Sequence, residues 1–447
     1  MLSVKMINMQ LRFLQVTLFL FLSTILLSCK SGSINLFKPA SPHEQYRRKL
    51  ETAGLDKTAM GAAWINSSAA SLQKALTITV PYRETGYFAA DKVQAATYKF
   101  AATKGQKITV NLKKNPNETV VYLDLWHISD VNNPKLIASA DTLNSPIEQE
   151  IDDTGNYLIR LQPELLQSVE YTLEITTGPS LAFPIHSKNS KNIQSYWGDG
   201  RDNNARKHEG VDIFGSFRSP VLASANGTVT RVNENNLGGK VVWLRPGGKD
   251  YTIYYAHLDE QIATEGQEVK IGDTLGLMGN TGNARTTPTH LHFGIYTFGG
   301  AINPLPFIDP ITKTPAKVTA AVSNLNKTLR ASHRANLLTT PQNKSAVVSK
   351  LAAGTVIKVN AATGGYYKGE LPDGTIGYID SDELVQVAKP LRKIKINVQQ
   401  QSVYDKPDSL APVKINLKAG ETVSVLGSFN NYNLIADDNN AVGWIVR

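Results

Sequence analysis

The sequence predicts a mainly β protein built from several domains. Three observations carry that expectation. Apolar and polar residues alternate with period two across 77–177. Short β runs lie between Gly-rich turns across 181–310. An internal repeat follows residue 325. At 447 residues and about 100–200 residues per domain, two to four domains are expected. Hydrophobic residues make up 41% and charged residues 19%, which excludes a mainly disordered chain. Only one long apolar run is present, so a multi-span membrane protein is excluded too. A single Cys rules out a disulfide framework or a Cys-rich zinc module.

The first 28 residues read as a secretory signal. Lys5 and Arg12 give a positive start, and residues 13–28 carry no charge. That run is shorter than the ~20 residues a spanning helix needs. The lone Cys29 closes it in Leu26-Leu27-Ser28-Cys29, which resembles a bacterial lipobox. The resemblance implies lipidation at Cys29 and a mature chain anchored in a membrane by acyl chains, each buried methylene contributing ~0.8 kcal/mol. Lys30 rather than Asp follows the Cys, so the expected location is the periplasmic side of the outer membrane.

Residues 29–75 read as a tether and a helical pair. Ser41-Pro42-His43-Glu44 fits a capping box with Pro at the first helical position, and Gly54 fits a helix stop. A second helix is expected over 57–74. Residues 76–180 read as an antiparallel sandwich, with strands at 108–112, 121–125, 157–161 and 171–175 whose side chains largely alternate inward and outward. The Gly155-Asn156-Tyr157 strand start resembles jelly-roll domains that flank secreted bacterial peptidases. His127 stands alone here and reads as a surface or packed strand residue.

The C-terminal part is duplicated. Pro341 and Pro407, Leu351 and Leu417, Gly354 and Gly420, and Gly377 and Gly443 are each 66 residues apart. Gly377-Tyr378-Ile379 matches Gly443-Trp444-Ile445. The pair resembles tandem bacterial SH3-like barrels, at 325–389 and 390–447, which implies either wall binding or a passive spacer. Residues 311–447 hold 17 basic and 10 acidic residues, net +7, whereas 181–310 hold 12 of each. A cationic module is drawn to an anionic polymer such as peptidoglycan. Nucleic acid is not an expected partner of a secreted lipoprotein.

Chemistry is concentrated in 181–312. Four of the eight His fall between His208 and His292. They sit in His208-Glu209-Gly210-Val211-Asp212, Ala256-His257-Leu258 and His290-Leu291-His292. In a strand, residues i and i+2 share a face, so His290 and His292 project together while Leu291 points the other way. That pairing suits one metal ligand beside one acid–base group. Gly210 between His208 and Asp212 argues for a loop or strand end rather than a helix. Two imidazoles and a carboxylate suit Zn²⁺ and leave its fourth position open for water. The helical zincin motif is excluded because residue 212 is Asp. Glu209 reads as a surface or supporting carboxylate, so the base is expected among the remaining histidines.

These motifs, with Gly279-Asn280-Thr281-Gly282 before the last one and Pro220-Val221 after the first, resemble the lysostaphin/LytM-type zinc endopeptidases across about 195–304. The resemblance implies one zinc ion per chain held by His208, Asp212 and His292. It implies non-ligand catalytic roles for His257 and His290, in an order left open. It also implies hydrolysis of peptide cross-links in bacterial peptidoglycan, in the cell envelope. The alternative is a silent peptidase fold that binds the wall or activates another wall hydrolase. Where the family has Gly-Thr before Pro-Val, this chain has Arg218-Ser219.

Overall fold

The structure is a computed structural model that describes residues 39–130, 133–143, 145–187, 189–201 and 203–447. The expected signal at 1–28 and the expected lipidation site Cys29 lie outside the described residues. No described helix is long and apolar enough to cross a membrane.

The chain is mainly β. Two helices, Pro42–Thr52 and Ala59–Gln73, open it. Ser41 Oγ accepts the Glu44 N–H at 3.2 Å. The Glu44 carboxylate binds Arg47 and Arg48, so half of the expected capping box forms. Gly54 adopts φ +70 in the turn between the helices, a conformation glycine takes without a Cβ penalty. Trp64, almost fully buried, donates from Nε1 to the Pro163 carbonyl at 2.8 Å.

Two sheets face each other next. One holds Leu76–Thr77, Ala96–Ala102, Val121–Ile128, Lys135–Ser139 and Gly155–Pro163. The other includes Tyr82–Phe88, Gln106–Asn115, Ile147–Glu150 and Val169–Pro179. Ile108, Val110, Leu125, Ile159, Leu173 and Ile175 fill the space between them. The expected alternation holds in Gln106–Asn115 and Val169–Pro179 and fails in the first sheet. There, residues 121–125 and 157–163 are buried on both faces. The outer face is covered by the helices, where Tyr122 meets Trp64 and Tyr46. It also holds the buried Arg160–Asp124 ion pair at 2.5 Å. His127 stacks on Tyr157 with ring centres 4.8 Å apart.

The second sheet does not end at the sandwich. Tyr82–Phe88 pairs with Val169–Pro179 on one edge and with Val356–Thr363 of the first repeat on the other. The repeat period reappears in the strands. Val356–Thr363, Tyr366–Glu370 and Ile376–Asp380 recur 66 positions later as Thr422–Phe429, Tyr432–Ala436 and Val442–Val446. Phe429, Leu434 and Trp444 of the second copy pack into the core of the first.

Between sandwich and repeats lies a ten-stranded sheet. Its centre runs Val211–Phe214, His290–Thr297, Tyr251–Gln261, Gly239–Pro246, all antiparallel neighbours. One face packs on a core that includes Ile213, Ile253, Tyr255, Leu258, Leu291, Phe293 and Ile295. The opposite face carries the cluster described next. The sandwich meets this unit away from that face, where Lys249 pairs with Glu150.

Candidate metal and acid–base site

Pairing across the sheet brings distant residues into one patch. Asp212 lies opposite His292 on one neighbouring strand, and Ala256 lies opposite His292 on the other. Leu291 and Phe293 are fully buried in the core, so His290 and His292 share the other face. His208 precedes the strand in a loop, and Gly210 lets that loop close in. A Cβ on Gly210 would stand 2.6 Å from the Phe293 carbonyl oxygen and 2.7 Å from His292 Cε1.

His257 reaches the patch only because its strand is irregular. Tyr255 faces the core, where its hydroxyl accepts the Ser224 N–H at 2.9 Å; Tyr254 faces the cleft. Strict alternation would then put His257 in the core and Leu258 outside. The reverse is observed. Val242 pairs with Tyr255 and Lys240 with Leu258, so two residues stand opposite one, and His257 takes φ +61. This bulge shifts the phase by one and aims the imidazole into the cleft. The Gly-rich turns hold it there. His257 N–H donates to the Gly238 carbonyl at 2.8 Å, and its Nδ1–H to the Thr281 carbonyl at 2.8 Å. Gly239, at φ +64, lets the two turns touch: a Cβ there would meet Thr281 Oγ1 at 2.2 Å.

The hydrogen bonds fix the tautomers, because a carbonyl can only accept. His208 Nδ1–H donates to the Tyr196 carbonyl at 2.9 Å and His290 Nδ1–H to the Pro288 carbonyl at 2.8 Å. When His208, His257 and His290 are neutral, the lone pair of each therefore sits on Nε2. His208 Nε2 stands 2.9 Å from His292 Nδ1 and 3.0 Å from Asp212 Oδ1, and His292 Nδ1 is 3.1 Å from the same oxygen. With the imidazoles neutral, three electron-pair donors thus form a triangle with at most one proton of their own to share, an arrangement that could hold a cation. Two nitrogens and one oxygen are a donor set that suits zinc, and these three residues could hold a metal ion. His290 Nε2 lies 4.0 Å from Asp212 Oδ1, outside the triangle. The His257 ring centre is 5.0 Å from His290 and 5.8 Å from His292.

Electrostatics follow the geometry. Burial works to raise the Asp212 carboxyl, but hydrogen bonds and charge from His208 and His292 outweigh it and hold it well below the carboxylate range. Burial, aided by His292 and His290, pushes the His257 imidazole down to about 4, so it is neutral at physiological pH. Burial also lowers His292, against the pull of Asp212. The five side chains line a cleft of about 540 Å³ whose lining residues all come from 195–296.

Glu209 is exposed and accepts from the Tyr296 hydroxyl at 3.3 Å. Arg218 adopts φ +60 in its turn and pairs with Asp259 and Glu260. Sequence reasoning missed Arg201, whose Nη2 lies 2.9 Å from Asp212 Oδ2.

Comparison with known proteins agrees in location. Residues 206–304 match the family described as Peptidase family M23. An uncharacterized metalloprotease of Haemophilus influenzae is 43% identical over 101 residues, 22% of this chain and 21% of that protein. The murein hydrolase activator NlpD of Escherichia coli is 36% identical over 101 residues, 23% of this chain and 26% of its own. A peptidoglycan DD-endopeptidase, ShyC, of Vibrio cholerae is 32% identical over 99 residues, 22% of each. The chain thus spans about a fifth to a quarter of the length of these relatives.

Proposed function

We propose that the M23 peptidase-family domain at 206–304 makes this chain a zinc-dependent endopeptidase that hydrolyses peptide cross-links of peptidoglycan in the cell envelope. The observation that carries the proposal is the triangle of His208, Asp212 and His292 with two further imidazoles facing the same cleft. Zinc held by those three residues supplies a Lewis acid that polarises a carbonyl and acidifies water. The chain's own groups do the rest. The cleft aligns an extended peptide beside the triangle. His257 and His290, each with its Nε2 lone pair free of the carbonyl that fixes its ring, take the proton from the attacking water and return it to the departing amine. Burial keeps His257 neutral, so its Nε2 is unprotonated when substrate arrives.

In this reading Cys29 carries the lipid anchor at the outer membrane. The sandwich and the two SH3-like repeats hold the catalytic domain, 181–312, near its polymer. Among the described residues the cleft is lined from 195–296, and in this reading an extended peptide enters it. A silent scaffold has one point in its favour, the relative named as a murein hydrolase activator. Five groups poised for hydrolysis weigh against it.

The test is digestion of purified sacculi with residues 30–447, read by mass spectrometry. Conversion of cross-linked dimers to monomers is expected. A zinc-loaded protein that leaves dimers intact would favour the activator instead.

A further inference from the structure

We propose that Arg201 is a positioning residue that restricts Asp212 to one ligating oxygen. The inference rests on the metal site proposed above. Arg201 sits on a small hairpin, Gly200–Arg201 paired with Arg206–Lys207, which forms a sheet of its own. The root of the hairpin is fastened to the site. Gly198 N–H donates to the His208 carbonyl at 2.9 Å, and His208 N–H to the Asp199 carbonyl at 2.8 Å.

From there Arg201 Nη2 reaches Asp212 Oδ2 at 2.9 Å and Ser195 Oγ at 2.6 Å. The Ser195 hydroxyl donates onward to Asp199 Oδ2 at 3.0 Å, which also accepts the Tyr196 N–H at 2.7 Å. One guanidinium nitrogen, Nη2, is therefore shared between Ser195 and Asp212. Asp212 Oδ1, by contrast, faces His208 Nε2 and His292 Nδ1. One oxygen is committed to a charged donor and the other is turned to the nitrogens. Groups that orient a metal's ligands in this way typically govern about 10–100-fold in metal affinity. The guanidinium also offsets the carboxylate's charge, so a divalent ion keeps more of its own for polarising a carbonyl.

These two effects oppose each other in affinity, because a positive charge near the ion repels it. Arg201→Lys separates them: it keeps the charge on a shorter side chain that does not bring its nitrogen to where Nη2 serves both Ser195 and Asp212. The experiment uses the full chain, stripped of metal and titrated with Zn²⁺ against a chromophoric chelator. The visible absorption of the Co²⁺-loaded protein is read in parallel. For Arg201→Lys we expect zinc binding weakened about 10-fold or more, a less intense Co²⁺ spectrum as the second carboxylate oxygen joins the ion, and an unchanged melting temperature of the metal-free protein. Equal zinc affinity and identical Co²⁺ spectra would overturn the proposal, as would tighter binding by Arg201→Gln with no change in Arg201→Lys. A matching fall in metal-free melting temperature would overturn it in favour of a purely structural hairpin. If the wild-type chain takes up no metal, the proposed site itself falls, a result distinct from either.

Discussion

Two of the buried charged clusters among the described residues differ in how their protons match. At the junction of sandwich and first repeat, Glu84 is fully buried. It accepts from the hydroxyls of Tyr82 and Tyr171 at 2.7 Å each, from Tyr98, and from Lys368 Nζ at 3.1 Å. Burial, then the Glu84 charge, raises Tyr82, Tyr98 and Tyr171 well above the usual phenol range, so all three stay donors. Both Glu84 oxygens there accept from hydroxyl and ammonium donors. In the cleft, His208, Asp212 and His292 turn lone pairs toward one another. Burial of polar groups alone does not make a site; the mismatch of donors and acceptors does. The first cluster joins two β units within one sheet, and the second could hold a metal ion.

The comparison breaks most visibly through the acid–base pair. His257→Ala should lower turnover about 10²–10⁴-fold, measured on cross-linked muropeptides, with the melting temperature nearly unchanged. A fall of only a few-fold would move the proton-transfer role away from His257. Lys368→Met sharpens the contrast from the other side. It leaves a buried carboxylate without its counter-charge, which typically costs about 3–5 kcal/mol. The three remaining hydroxyl donors place the expected loss toward the lower end. Denaturant unfolding should detect it, and turnover per folded molecule should stay at the wild-type level. A drop in turnover without a loss of stability would mean that the junction acts on the cleft.

Much of the cleft was legible in the sequence because it depends on local rules. The His290-Leu291-His292 alternation needs only the two-residue period of a strand. The early end of the first helix is marked by Gly54. The 66-residue offset fixes the repeated strands. What escaped depends on register and on long-range partners. Alternation alone assigns His257 to the core, and only pairing with Val242 and Lys240 reveals the bulge that turns it out. Arg201 lies in a stretch of Gly, Asp and Asn whose hairpin gives no periodic signal, and its partner Asp212 is reached through space. Residues 121–125 and 157–161 were expected to alternate, but helices covered their outward face. Glu84 and Lys368 are 284 positions apart, and no local pattern joins them.

Metal content tests the central claim most directly. After dialysis against buffered zinc, elemental analysis of the wild-type chain, His292→Ala and His257→Ala should give one zinc, none and one per chain. Zinc lost from His257→Ala, or retained in full by His292→Ala, would contradict the assignment of the triangle as the metal site.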